Sequence, residues 1–161
     1  MKTINSFTRR TLLAGAATVI AGFAAAPGYA QTSLSPSVAA EKVTLYKDPY
    51  CGCCQGYAEF LTANGFEVEV IPTDDLEQIT ADAEIPADFA GCHIFNIGDY
   101  AFSGHIPLAT LTKFLTERPE MIGLTVPGMP MGSPGMGGEK MEPLKVFAVE
   151  AGQTPTVYAV E

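Results

Sequence analysis

Val43-Thr44-Leu45-Tyr46-Lys47-Asp48-Pro49-Tyr50-Cys51-Gly52-Cys53-Cys54 is the stretch on which the reading of the chain turns. Its first four residues alternate and are rich in β-formers, which predicts a strand, and Asp48-Pro49-Tyr50 breaks it. Three of the chain's four cysteines then fall within four residues. From Cys53 to Asn64, the residues Tyr57, Phe60, Leu61 and Asn64 recur at helical spacing, and Asn64-Gly65 is a C-terminal stop signal. Cys51 is therefore expected at a helix entrance, with Cys53 and Cys54 in or near the first turn. Unpaired N–H groups and the positive end of the helix dipole favour thiolate over thiol there. Cys51 and Cys54 keep the C-x-x-C spacing of dithiol redox sites. Cys53 adds a third sulfur that a plain dithiol enzyme does not need, so the stretch reads as soft-metal chemistry on a redox-type scaffold.

Outward from this stretch the pattern alternates strands and helices. Phe66-Glu67-Val68-Glu69-Val70 predicts a second strand, ended by Pro72. Asp74-Asp75-Leu76-Glu77 has the form of an acidic capping box, opening a short helix with Leu76, Ile79 and Ala83 on one side. Cys92–Ile97 and Tyr100–Ser103 predict a hairpin about Gly98-Asp99. Gly104-His105-Ile106-Pro107 leads into a helix whose buried stripe is Leu108, Leu111, Phe114 and Leu115, stopped by Pro119. Residues 119–143 are organised differently, as a loop: Val126–Gly138 lacks periodicity and abounds in Gly and Pro, and Met129, Met131, Met136 and Met141 fall in this region. Lys145–Val149 and Thr156–Val160 close the chain as two strands around Gly152.

The order β-α-β-α-β-β-α, followed by a loop and a β-hairpin, with C-x-x-C at the first strand-to-helix junction, predicts an α/β protein of thioredoxin-like fold. In that fold the third strand runs antiparallel to the first, which places Cys92 beside Cys51. The hairpin then returns Ser103, Gly104 and His105 to the same end. One site is thus expected to gather Cys51, Cys53, Cys54, Cys92 and His105, with His93 also near. Strict alternation along a strand would turn His93 away if Cys92 faces the site. Four cysteines allow three pairings, but Cys53 and Cys54 are adjacent and Cys51 is close to both. Two disulfides are therefore not expected to fit, leaving some thiol free, metal-bound or cycling. Structural roles compete at each position: Cys92 as a buried small side chain or disulfide partner, His105 as a local hydrogen-bonding group, and the methionines as filler in a loop.

The N-terminus reads as an export signal over residues 1–30. Lys2, Arg9 and Arg10 precede an uncharged, Ala-rich run from Leu12 to Ala26, and Gly28-Tyr29-Ala30 offers small residues for cleavage. The run is shorter than a spanning helix, so no stable membrane insertion is expected after its removal. Ser6–Leu13 is similar to a twin-arginine signal, against an ordinary secretory one. Residues 31–41 read as a flexible leader and 42–161 as one domain. Removal of 30 of the 161 residues leaves 131, with six basic side chains against eighteen acidic, a net charge of −12. That balance argues against nucleic acid or anionic lipid as partner.

Tyr50-Cys51-Gly52-Cys53-Cys54, Cys92-His93, Gly104-His105-Ile106-Pro107 and Pro127-Gly128-Met129-Pro130-Met131-Gly132-Ser133-Pro134-Gly135-Met136 together span the domain. In these segments the chain resembles the exported, CopG-like metal-binding proteins associated with bacterial copper resistance and long catalogued as a domain of unknown function. The resemblance implies a periplasmic, copper-linked, thioredoxin-like protein, with copper ions and other periplasmic copper-handling proteins as partners.

Ligand chemistry orders the metals. Thiolate, thioether and imidazole together favour copper(I), in one or more ions; Cys₃His would also suit zinc, which binds thioether weakly. The expected ligands are Cys51, Cys53, Cys54, Cys92, His105, Met129, Met131 and Met136. A thiol-disulfide oxidoreductase in which Cys51 attacks and Cys54 resolves is the competing function.

Overall fold

The computed structural model describes residues 41–161; the expected export signal and most of the leader lie outside the described residues. Strand β1 (Lys42–Lys47) is followed by helix α1 (Gly52–Ala63), β2 (Glu67–Pro72) and α2 (Leu76–Asp82). A single 3₁₀ turn (Ala87–Phe89) leads to β3 (His93–Ile97), β4 (Tyr100–Ser103) and α3 (Leu108–Glu117). Three further strands, β5 (Gly123–Thr125), β6 (Lys145–Val149) and β7 (Thr156–Val160), complete the chain.

All seven strands form one sheet in the order β2-β1-β3-β4-β5-β6-β7. β1 and β2 are parallel, β3 is antiparallel to β1, and β4 is antiparallel to β3. This is the expected α/β class, and the strand order is compatible with a thioredoxin-like core. The register Lys47↔His93 and Ile94↔Ser103 brings the end of β1, the start of β3 and the end of β4 to one edge of the sheet.

Alternation along the strands divides the core. Leu45, Phe95, Phe102 and Leu124 point to one face and pack with Tyr57 and Leu61 of α1 and Leu111 and Phe114 of α3. Tyr46, Ile94, Ala101 and Val149 point to the other and pack with Leu76 and Ile79 of α2. Leu108 is only partly buried, so the stripe of α3 is carried by Leu111, Phe114 and Leu115.

Two local expectations are corrected. The capping box does not form: the N-cap of α2 is Asp75, and its side chain makes no cap hydrogen bond. Instead the Asp75 N–H donates to the Thr73 hydroxyl (3.0 Å), a turn that competes with the box for the same backbone. The stretch 119–143 is also not wholly irregular, because Gly123–Thr125 forms β5 and stitches the C-terminal hairpin into the main sheet. Three residues are too short to show periodicity. The strand depends on Gly123, where a Cβ would lie 1.8 Å from the carbonyl oxygen of Ala101. Among the described residues no helix is long and apolar enough to cross a membrane.

Candidate metal centre

The cysteine loop is held before the helix begins. Lys47, buried at the end of β1, donates to the carbonyls of Asp48 (2.8 Å) and Pro49 (3.2 Å). The Tyr50 N–H donates to Asp48 Oδ1 (2.7 Å) and the Cys51 N–H to the Asp48 carbonyl (3.1 Å). Cys51 is the N-cap of α1, and its sulfur accepts from the Cys54 N–H at 3.4 Å. This is the expected helix entrance, with one free backbone donor directed at sulfur.

Cys51 and Cys54 are joined in a disulfide, leaving Cys53 and Cys92 as thiols. Cys53 Sγ lies 3.3 Å from Cys51 Sγ, 3.6 Å from Cys92 Sγ and 3.8 Å from Met129 Sδ. The sulfurs of Cys51, Cys53, Cys54 and Cys92 all lie within 4.8 Å of one another. One disulfide and two free thiols agree with the expectation that two disulfides do not fit. The i,i+3 pair closes across the first turn of α1, and the remaining two sulfurs come together from α1 and the start of β3.

Cys92 is the hub. Its sulfur lies 3.3 Å from His105 Nε2 and 3.5 Å from His93 Nδ1. The expectation that His93 turns away is corrected. Cys92 sits in a bend before β3, so the alternation that begins at His93 does not extend back to it. Cys92, His93 and His105 form a second group of close potential ligands that shares its sulfur with the first.

Both histidines are sealed inside the protein. The His93 ring lies tilted against Tyr57 with centroids 4.8 Å apart, and Tyr57 and His105 meet edge-to-face at 5.2 Å. The Tyr57 hydroxyl donates to the Ile106 carbonyl (2.9 Å), fixing this platform, and burial raises its pKa well above the ordinary phenol value. Burial, with His105 beside it, lowers the pKa of His93 to about 3. Burial also lowers that of His105. Neutral imidazole is the metal-binding form. His105 Nδ1 lies 2.7 Å from the Pro134 carbonyl, an acceptor only, so Nδ1 carries the proton and Nε2 offers its lone pair to Cys92. His93 Nε2 is buried with no hydrogen-bond partner. Burial and the neighbouring Cys53 push the Cys92 thiol up to about 12.

The Met loop does reach back over this end. The Gly128 N–H donates to the Ala90 carbonyl (3.0 Å), and Gly91 and Gly128 form a parallel bridge. Gly135 (φ 73°) rests on α1, where a Cβ would lie 2.6 Å from the backbone of Tyr57. Of the three expected thioether ligands, Met129 supplies the loop's sulfur contact. Met131 instead lines a separate hollow with Phe60, Pro107 and Glu142, and Met136 is half-buried beyond Gly135. Tyr57, Lys47 and the Pro134 carbonyl, which shape the site, escaped sequence reading. An aromatic residue on a helical stripe, a strand-end lysine and a backbone oxygen carry no motif.

A family described as "Protein of unknown function, DUF411" matches over residues 89–136, which include Cys92, both histidines and Met129. No curated protein matches the chain. A solved structure titled "Copper resistance protein copG- Form 2" is 32% identical, with a TM-score of 0.69, covering 75% of this chain and 98% of that one. The chain belongs to the CopG family. A second CopG structure, titled Form 1, is likewise 32% identical with a TM-score of 0.69, covering 74% of this chain and 96% of that one. The match therefore extends over nearly the whole of each CopG chain.

Proposed function

We propose that this CopG-family chain is an exported, periplasmic copper-binding protein of copper resistance and homeostasis. It holds copper(I) on Cys51, Cys53, Cys54 and Cys92 once the Cys51–Cys54 bond is reduced. One observation carries the reading: four cysteine sulfurs lie within 4.8 Å of one another, with a thioether at 3.8 Å from Cys53. Thiolate and thioether are soft donors and select copper(I) over harder divalent ions, and the thioether argues against zinc. Cys92 belongs to both ligand groups, so its sulfur is suited to bridge more than one copper ion, with His105 and His93 completing the inner side. Copper arrives from and leaves to other periplasmic copper-handling proteins across the exposed Cys51–Met129 face.

The test is an anaerobic copper(I) titration of fully reduced protein against a competing chelator. Thiolate-to-copper absorption is expected to saturate at one or more ions. Cys53→Ser is expected to weaken binding by more than the roughly tenfold that even an outer-sphere partner contributes. Unchanged affinity and stoichiometry in that variant overturn the cluster.

The Cys51–Cys54 disulfide favours a second reading, a thiol-disulfide oxidoreductase in which half-exposed Cys51 is attacked or attacks and buried Cys54 resolves. The two readings are compatible in one molecule. Reduction supplies the thiolates that copper needs, and oxidation withdraws two of them.

A further inference from the structure

The copper reading uses all four sulfurs as ligands and gives the two leftover thiols no role of their own in the metal-free chain. Their placement supplies one. Cys53 Sγ is 3.3 Å from the Cys51 sulfur of the disulfide and 3.6 Å from Cys92 Sγ, so the thiol pair abuts the disulfide pair in series. We propose that Cys53 and Cys92 are a second redox couple, and that the disulfide of the metal-free protein migrates between the half-exposed Cys51–Cys54 pair and a Cys53–Cys92 pair.

The exchange is balanced without any outside oxidant. Cys53 thiolate attacks Cys51 Sγ, forming a Cys51–Cys53 bond and breaking Cys51–Cys54. The departing Cys54 sulfur takes up the proton that Cys53 lost. Cys92 then attacks Cys53 Sγ, forming Cys53–Cys92 and releasing Cys51. The Cys92 proton passes to His105 Nε2, 3.3 Å away, and ends on Cys51. One disulfide and two thiols stand on each side, so no electrons are gained or lost.

The geometry is close but not aligned. Attack requires three sulfurs in a row, and Cys53 Sγ lies too near Cys54 Sγ, within 4.8 Å, for that. Rotation of the Cys53 side chain, at the surface in the first turn of α1, supplies the alignment without moving the sheet. The chemical consequence is directional. Migration ties α1 to the start of β3 and returns Cys51 as a thiol at the half-exposed edge beside Tyr50, which is 94% exposed. Cys51 is then open to a second exchange with the disulfide of a partner protein. Cys54 then attacks Cys51 Sγ of the mixed disulfide, which releases the partner as a dithiol and leaves the chain with Cys51–Cys54 and Cys53–Cys92 disulfides and no thiolate for a metal.

The test is disulfide mapping of wild-type protein carrying one disulfide, stripped of metal and held at pH 8 under argon. Acid quenching, alkylation and cleavage after glutamate are needed, because no Lys or Arg lies between Lys47 and Lys113 to separate Cys53 from Cys92. Within hours, the timescale of uncatalysed disulfide reshuffling, a Cys53–Cys92 linked species with alkylated Cys51 and Cys54 is expected beside the Cys51–Cys54 form. In Cys92→Ser the relay should halt at Cys51–Cys53 with Cys54 alkylated. Alkylation confined to Cys53 and Cys92 in the wild type, or absence of alkylated Cys54 in Cys92→Ser, overturns the relay. Copper(I) titration of the fully reduced chain is a separate measurement, so loss of the relay and loss of the copper reading are told apart.

Discussion

The neutral His93 inside the core makes the metal-free protein sensitive to acid by an amount that the structure sets. Its folded pKa of about 3 lies below the ordinary histidine value of 6.5, because burial and His105 both oppose a charge there. Unfolding exposes the ring and lets it take a proton, so between these two values the unfolded state binds more protons than the folded one. Stability is therefore full above pH 6.5 and falls as the pH drops towards 3. At pH 4.5, two units below the ordinary value of 6.5, the unfolded ring is protonated while the folded ring is still neutral, which costs about 3 kcal/mol at 1.36 kcal/mol per unit. His105 adds to the loss in the same direction. The assay is urea unfolding of metal-free protein at pH 7 and pH 4.5, for wild type and His93→Gln. Glutamine does not titrate, so the variant is expected to be weaker at pH 7 but to lose about 3 kcal/mol less between the two conditions. If both proteins lose the same amount to within about 0.5 kcal/mol, His93 is not the buried neutral base described here.

Three further outcomes follow from single contacts. Met129→Leu is expected to change the rate of copper transfer to a copper(I) chelator while leaving tight binding intact, and Met131→Leu to change neither, because only Met129 reaches Cys53; stopped-flow transfer rates decide this. Gly135→Ala is expected to cost about 2–4 kcal/mol in denaturant unfolding. It combines a left-handed backbone with a Cβ pressed on Tyr57. Replacing Arg9 and Arg10 together by Lys should block processing of the exported form if the route is twin-arginine, and normal processing assigns the general secretory route.

Much of the scaffold was legible because periodicity and breakers report on it directly. Alternation in Val43–Tyr46 and Phe66–Val70, the stop at Asn64-Gly65, and the proline before α3 each act within a few residues. The assembly of Cys51, Cys92 and His105 was also legible, since antiparallel pairing of β1 with β3 fixes which strand ends meet. What escaped depends on interactions with no local signature. The orientation of His93 follows from a bend at Cys92 that breaks the strand's period. β5 exists because Gly123 lets two backbones approach, and the pattern of three residues cannot announce it. The failed capping box lost to a threonine two residues upstream. The sorting of the methionines required the path of the loop, which Gly128 and Gly135 fix by backbone contacts rather than by side-chain type.

The protonation pattern of the site bears on how it would load. Neutral His93 and His105 need lose no proton to become ligands, whereas Cys92, pushed up to about 12, must lose one to bind metal. A cation entering beside Cys92 removes the reason for that high value, because its charge stabilises the thiolate that burial and Cys53 oppose. Metal binding at the hub is then obligatorily coupled to proton release. With Nδ1 of His105 already committed to Pro134, Nε2 is the acceptor placed to take that proton first. If Nε2 is also to bind metal, the proton has to move on before the imidazole can do so. Loading should therefore be stepwise, with the Cys51–Cys53–Met129 face engaged before the buried side. Its signature would be an uptake of copper(I) in two phases, the second of which slows as pH falls.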